Sequence, residues 1–501
     1  MKIGDLFNGS IVRMEVRKFN LPLIFRLTGV LLLYHALSLL LPLAVSIYYS
    51  DGVQFSLVMS AMLMLIPGLF FRNILGRNPA YDLKENESYW VTTIVWLTIP
   101  LSGALPYILS GEMANVADAI FESFSGFTTT GSSVVARPQD LPKGLLVYRA
   151  FTQWVGGLGL MLFVVAILRR ITLGADRIYE AEFSGTQQRK LHPHLSKSVT
   201  RLWAIYSILT VAMFVLLVVQ GTSVVDALCL AFSTVSTGGF ATHSDGLFIL
   251  NNGGLIVMTI FMFLSGINVA QLYRLFTFRW RHWGRDEEMR TYLLLFVLAV
   301  SVCTAAFFIA GNDPWQSLRY STFHIASTMS TSGFYMPRLP HWSFLVSVLT
   351  FLLILVGASS GSTGGGIKLR RIIILIKYTS NYFTRMIHSN AVFRVKVNDE
   401  VVQHDYINKV FAYVFLYIAF TVGGSFILTL CNCSIPEAVC MAAANISNLG
   451  PSPLFNNLGG NINYALLPSV AKLTLTALML AGRLELFALI AVFSPAYWRR
   501  G

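Results

Sequence analysis

"TTTGS" occupies residues 128–132, "STGGF" residues 236–240, "STSGF" residues 330–334 and "SNLGP" residues 447–451. The four segments align on Gly131, Gly239, Gly333 and Gly450, and each puts Thr or Asn two places earlier, at Thr129, Thr237, Thr331 and Asn448. The intervals of 108, 94 and 117 residues leave room for one complete membrane unit per copy. Thirteen residues before three of the glycines stand Asp118, Asp226 and Glu437. An acid there suits the positive end of a helix dipole. The third copy has Tyr320 at that place, so the acid is read as a helix-start feature and not as chemistry. The segments between, such as "DAIFESFSGFT" and "DALCLAFSTVS", are apolar but too short to span. They suit re-entrant half-helices, which a bilayer tolerates where protein surrounds them or they line a cavity.

Around these copies the chain is hydrophobic: 55% of its 501 residues are apolar and 12% charged. Windows about 20 residues long, enough to cross ~30 Å of hydrocarbon as helix, fall at roughly 23–49, 53–71, 89–110, 145–168, 199–220, 254–278, 291–310, 342–378, 408–430 and 464–493. The first apolar stretch is too long for a signal h-region and has no small-residue cleavage site after it, so a retained helix is expected. Most of the 37 Lys and Arg lie at the N-terminus, in alternate loops (72–84, 169–201, 274–290, 368–409) or at the C-terminal end. By the positive-inside rule that side is cytoplasmic and both termini are inside. The opposite side holds Arg137, Lys143, Arg149, Arg319 and Arg338, and Lys472 and Arg483 fall inside the last window. The net charge of +13 is therefore a matter of topology, and nucleic-acid binding is set aside. Cys229, Cys303, Cys431, Cys433 and Cys440 lack zinc-site spacing and read as small apolar residues. His192 and His194 read as solvated loop residues, since two ligands do not make a tetrahedral site.

Each unit reads as spanning helix, short pore helix, glycine turn and spanning helix, and four units make a pseudo-fourfold ring. A cation leaving water needs oxygens to replace its hydration shell, and backbone carbonyls from converging loops supply them without net charge. Glycine lets the chain turn there, because positive φ costs it little. With carbonyl and hydroxyl ligands and few acids, such a site favours a weakly hydrated monovalent cation, K⁺ before Ca²⁺ or Mg²⁺. The expected filter residues are Thr129, Thr130, Gly131, Thr237, Gly238, Gly239, Thr331, Ser332, Gly333, Asn448, Leu449 and Gly450.

On "FESFSGFTTTG" (residues 121–131), "QWVGGLG" (153–159), "AFSTVSTGGFATH" (231–243), "GSTGGGIK" (361–368), "NLGP" (448–451) and "AGRLELF" (481–487), the chain resembles the membrane subunits of bacterial Trk-type potassium uptake systems, in the superfamily with the Ktr and plant HKT transporters. The likeness runs over nearly the whole chain. It implies an all-α polytopic membrane protein with two extra N-terminal helices (1–85) and pore repeats at 86–197, 198–285, 286–400 and 401–501. It also implies a homodimer with one pore per subunit in the bacterial inner membrane. A cytoplasmic ring of nucleotide-binding regulatory subunits would carry NAD(H) or ATP/ADP, while this chain has no cofactor beyond the K⁺ it transports.

The window at 342–378 is interrupted by "GASSGSTGGGIK", where each glycine destabilises helix by about 1 kcal/mol relative to alanine. A break into an intramembrane loop is expected, and the resemblance makes Gly357, Gly361, Ser362, Thr363, Gly364, Gly365 and Gly366 a barrier below the filter. A phosphate-binding P-loop does not fit, because Ile367 separates Gly366 from Lys368 and Leu369 follows. Arg483, a charge inside a spanning window, is a functional candidate by default. It either repels K⁺ below the filter, as the resemblance implies, or is held in an internal salt bridge; Glu485, two residues on, points to another helix face. Lys472, about three turns earlier on nearly the same side, sits near the filter, at a helix contact or at the outer surface. Gly156, Gly157, Gly159, Gly266 and Asn268 lie at corresponding depth, and helix packing is the expected role of the glycines.

These features together read as potassium uptake and not enzymatic catalysis. A Na⁺-permeable or Na⁺-coupled relative is the alternative within transport, although all four aligned positions are glycine. A membrane enzyme or sensor scaffold is the alternative outside it, and would concentrate His, Asp or Glu at one depth. Channel-like permeation and symport are both left open.

Overall fold

Apolar helices set the framework. The computed structural model describes residues 20–77, 85–113, 115–159, 195–244, 246–247, 249–277, 284–335, 343–388, 394–398, 400–450 and 464–493. Among them everything regular is helical except a two-stranded antiparallel ladder, Lys396–Val397 with Glu400–Val401. The fold is all-α and polytopic, as expected. The expectations for residues 1–19, for the end of the 145–168 window, for His192 and His194, and for Arg499 and Arg500 lie outside the described residues.

A helix pair comes first: Leu21–Ser38, continuing as Leu40–Tyr49, and Gln54–Phe70, closing in a π-helical turn at Phe71–Leu75. The two cross closely at Gly29, where an added Cβ would lie 2.7 Å from the carbonyl oxygen of Gly68.

Then a pattern recurs four times. The outer helices are Glu85–Ser102, Leu195–Val219, Glu287–Ile309 and His404–Leu430. The short helices behind the glycine loops are Val116–Phe127, Val224–Val235, Pro314–Met329 and Ile435–Ile446. Asn115, Ser223 and Asp313 cap the first three through their side chains, and Ser434 with Glu437 forms a capping box on the fourth. The third helix begins about one turn earlier relative to its glycine than the other three and is capped by Asp313, so the acid stands at that earlier start while Tyr320 falls inside the helix.

The inner helices differ from continuous spans. Lys143–Gly157 is described up to its end; Asn252–Ser265 bends by 113° into Val269–Phe276; Phe344–Val356 breaks and resumes as Leu369–Ile387; Ser469–Arg483 breaks and resumes as Phe487–Phe493. Only the third break is expected from the sequence. Among the described residues six helices are long and apolar enough to cross a membrane unaided, against ten apolar windows. Hydropathy counts residues and cannot see a reversal whose freed backbone groups are taken up by a neighbour. Here the Ser359 N–H donates to the Gly266 carbonyl at 3.1 Å and the Val269 N–H to the Gly361 carbonyl at 3.2 Å, so two of the breaks satisfy each other.

Candidate ion filter and the loop beneath it

Each short helix ends in the same way. Thr129, Thr237, Thr331 and Asn448 turn left-handed, with φ of 56°, 56°, 58° and 51°. Their N–H groups return to the carbonyls of Gly126, Thr234, Thr328 and Asn445 at 3.0–3.1 Å. The next residues, Thr130, Gly238, Ser332 and Leu449, return to Ser125, Ser233, Ser327 and Ala444 at 2.7–2.9 Å. This pair of bonds is a Schellman closure, whose left-handed place usually goes to glycine. A β-branched residue there costs about 1–2 kcal/mol, repeated in three loops, so the hydroxyl is retained against backbone preference. Two residues on, Gly131, Gly239, Gly333 and Gly450 are left-handed as well, at φ 73–85°.

The glycines also fix how the loops meet. A Cβ on Gly131 would run into the carbonyl oxygen of Gly238, one on Gly239 into that of Ser332, one on Gly333 into that of Leu449, and one on Gly450 into that of Thr130. Loop one touches two, two touches three, three touches four, and four touches one. The aligned residues therefore form a closed ring in chain order, in which each glycine is required both by its own φ and by its neighbour's carbonyl.

Hydroxyls tie the ring from behind. Thr128 and Thr130 share a bond at 2.8 Å, as do Ser330 and Ser332, while Asn448 Nδ2 donates to Thr130 Oγ1 at 3.0 Å. Ser132 Oγ donates to Asn445 Oδ1 at 2.9 Å, and Ser133 Oγ to Glu122 Oε1 at 2.9 Å.

Three bracing residues are not singled out by the sequence. Glu122, fully buried, receives Arg149 Nε at 2.5 Å and the Val134 N–H at 2.9 Å. Arg149 also donates to the Ala241 carbonyl at 3.1 Å and lies 3.8 Å over the Phe240 ring. Gln153 donates to the Gly238 carbonyl at 2.7 Å and accepts from the Phe240 N–H at 3.2 Å. The available signal is a carboxylate inside a short apolar helix, which demands a buried partner.

Beneath the ring lies the glycine segment. Gly357, Gly361 and Gly366 are left-handed, and so is Lys368 at φ 74°. The Gly365 N–H donates to Thr331 Oγ1 at 2.9 Å, and Thr363 Oγ1 reaches the carbonyls of Val235 at 3.4 Å and Ser265 at 3.5 Å. A Cβ on Gly364 would lie 2.8 Å from the Ser330 carbonyl, and one on Gly365 would strike that of Ser447. Ser362 Oγ turns inward to the Ser359 carbonyl at 2.6 Å. The segment thus underlies repeats two, three and four.

Arg483 closes the remaining side. It donates to the Thr363 carbonyl at 3.1 Å, to Thr129 Oγ1 at 3.4 Å, to the Gly157 carbonyl at 2.9 Å and to the Gly156 carbonyl. The guanidinium therefore joins the glycine segment, the first loop and the first inner helix. Glu485 pairs with Arg371, whose guanidinium stands 3.9 Å over Tyr413. Lys472, 3% exposed, donates to Asp118 at 2.5 Å and to the Ala465 carbonyl at 2.9 Å, which makes it a contact between repeats four and one. Gly156, Gly157 and Gly266 serve close packing, since a Cβ on each would collide with Phe127, Ser236 or the Tyr292 hydroxyl. The five cysteines are free, and no group of three or more metal-ligating side chains occurs among the described residues.

Comparison with known proteins gives one consistent result. The family model for TrkH, described as cation transport protein, matches residues 69–500. The TrkH Trk system potassium uptake protein of Halomonas elongata is 32% identical over 96% of this chain and all of its own length. That of Escherichia coli K12 is 30% identical over 95% of this chain and 99% of its own. The crystal structure of the potassium transporter TrkH from Vibrio parahaemolyticus superposes with a TM-score of 0.85 at 28% identity, covering 95% of this chain and 99% of the other.

Proposed function

This chain belongs to the TrkH family of cation transport proteins, and we propose on that footing that it carries K⁺ into the cell as the membrane subunit of a Trk-type potassium uptake system. The single observation that carries the reading is the closed ring of four Thr/Asn-x-Gly loops, each with the same two left-handed residues. Four loops meeting about one axis supply the converging carbonyls that replace a cation's water, and the Thr hydroxyls add oxygens at the lower end. The filter is made by residues 129–131, 237–239, 331–333 and 448–450. Repeats at 86–197, 198–285, 286–400 and 401–501 each contribute one quarter.

The gate is the segment Gly357 to Gly366 together with Arg483. Bonds from Gly365 to Thr331 and from Arg483 to Thr363 and Thr129 support a closed position directly under the filter. A fixed guanidinium there raises the electrostatic barrier to K⁺. A homodimer in the inner membrane, both termini cytoplasmic, with a nucleotide-binding ring below, completes the proposal. The test is K⁺ or Rb⁺ uptake in potassium-starved cells that lack their own uptake systems. Rescue of growth and flux is expected; protein present in the membrane without flux would overturn the reading.

A further inference from the structure

We infer that the N-terminal helix pair holds one anionic phospholipid, its headgroup between Arg26 and Arg72 and an acyl chain along the groove below them. The groove, about 420 Å³, is lined by Arg26, Val30, Leu33, Tyr34, Leu37, Leu65 and Arg72. Its walls are the helices Leu21–Tyr49 and Gln54–Leu75, both long and apolar enough to cross the membrane.

Three observations select this occupant. First, the two arginines lie about one helical turn apart on facing helices and both line the groove: an added Cβ on Gly29 would lie 2.7 Å from the Arg72 backbone nitrogen, and one on Gly76 would lie 2.7 Å from the Arg26 Cα. Neither arginine has a protein partner among the described residues, and two guanidiniums lining one groove with no acid among its lining residues are complementary to a phosphodiester. Second, Arg72 sits in the π-helical turn Phe71–Leu75 that ends its helix. Such turns are rare and are frequently found at functional sites. Third, the dimensions match. Arg26 to Leu37 is eleven residues, a rise of about 16 Å, close to the ~15 Å of one leaflet's hydrocarbon. Leu37 is exposed along the groove's edge and Leu33 packs against Gly68, so the slot opens sideways to lipid where a chain would enter. A soluble anion would use the arginines and leave the apolar slot empty; a neutral lipid would use the slot and leave the arginines unpaired.

The test is retention of phosphatidylglycerol by the full-length protein purified from mixed phosphatidylglycerol/phosphatidylethanolamine vesicles, read by native mass spectrometry. Wild type should carry one tightly held phosphatidylglycerol that excess inorganic phosphate does not displace. Arg26→Gln with Arg72→Gln should cut its retention at least fivefold, and Leu33→Trp, which fills the slot, should cut it similarly. Arg77→Gln, on the same side but outside the groove, should leave it intact. Arg72→Gln alone, at an exposed position, serves should the double variant fail to fold. Unchanged retention in the arginine variants, an equal loss in Arg77→Gln, or displacement by phosphate would each overturn the assignment.

Discussion

Glu122 and Arg149 form a buried ion pair at 2.5 Å that holds two of the glycine loops at once, the carboxylate taking Ser133 and Val134 of the first and the guanidinium taking Ala241 of the second. Removing one partner strands a buried charge, so Glu122→Leu or Arg149→Met alone should lower stability by about 3–5 kcal/mol. The double variant should recover most of that, because the uncompensated charge is gone. Thermal unfolding in detergent measures both. The double variant should nonetheless discriminate K⁺ from Na⁺ less well in vesicle flux, since the tie between the loops is lost.

Gly239 tests the ring itself. At φ 80°, with the Ser332 carbonyl where a Cβ would go, any side chain moves both loops. Gly239→Ser should raise Na⁺ relative to K⁺ permeation about tenfold, equivalent to roughly 1.4 kcal/mol of discrimination. Unchanged selectivity in ²²Na⁺ and ⁸⁶Rb⁺ flux would count against its place in the filter.

Arg483→Ala removes the donors to Thr363, Thr129 and the carbonyls of Gly156 and Gly157. Flux in the closed condition should rise several-fold, while K⁺/Na⁺ selectivity changes little. Arg483→Lys should restore only part of the closure, since one ammonium cannot span partners on three segments. Wild-type closed flux in Arg483→Ala would show that the residue does not gate.

Lys472→Met leaves Asp118 without its cation, and Asp118→Asn does the reverse. Because Lys472 is 3% exposed, each single change should destabilise by about 1–3 kcal/mol, and the two together by less than their sum. A double-mutant cycle on unfolding midpoints gives the coupling, and flux through the folded double variant should remain near wild type.

Thr237→Gly separates strain from function. Glycine relieves the left-handed backbone at φ 56° and should stabilise by up to about 1 kcal/mol. Losing the hydroxyl should still weaken K⁺ selectivity. A more stable protein with unaltered selectivity would reduce Thr237 to a helix cap.

How much of this could be read from residues alone divides along physical lines. The four loops are legible because positive φ is written in glycine, and glycine spacing survives in sequence. The broken third inner helix is legible for the same reason: Gly357, Gly361 and Gly366 all take positive φ. The left-handed Thr129, Thr237 and Thr331 are not, because threonine ordinarily avoids that region and only tertiary closure imposes it. The bend at Gly266 is hidden, since its two arms together pass as one apolar span. Arg483 stands out as a charge in an apolar run, yet its choice of carbonyls, and the assignment of Glu485 to Arg371, depend on segments more than a hundred residues apart. Lys472 is equally undetermined until Asp118 is placed beside it.

The ring has four contributors of equal standing, whereas what lies under it comes from one broken helix and one arginine. If that segment is the gate proposed above, an obstruction built from a single hinge is a two-position switch with no siblings to recruit, and opening within one pore carries no cooperativity of its own. On that reading, any sigmoidal response to a regulator arises between pores or within the regulator, and none arises within the pore itself.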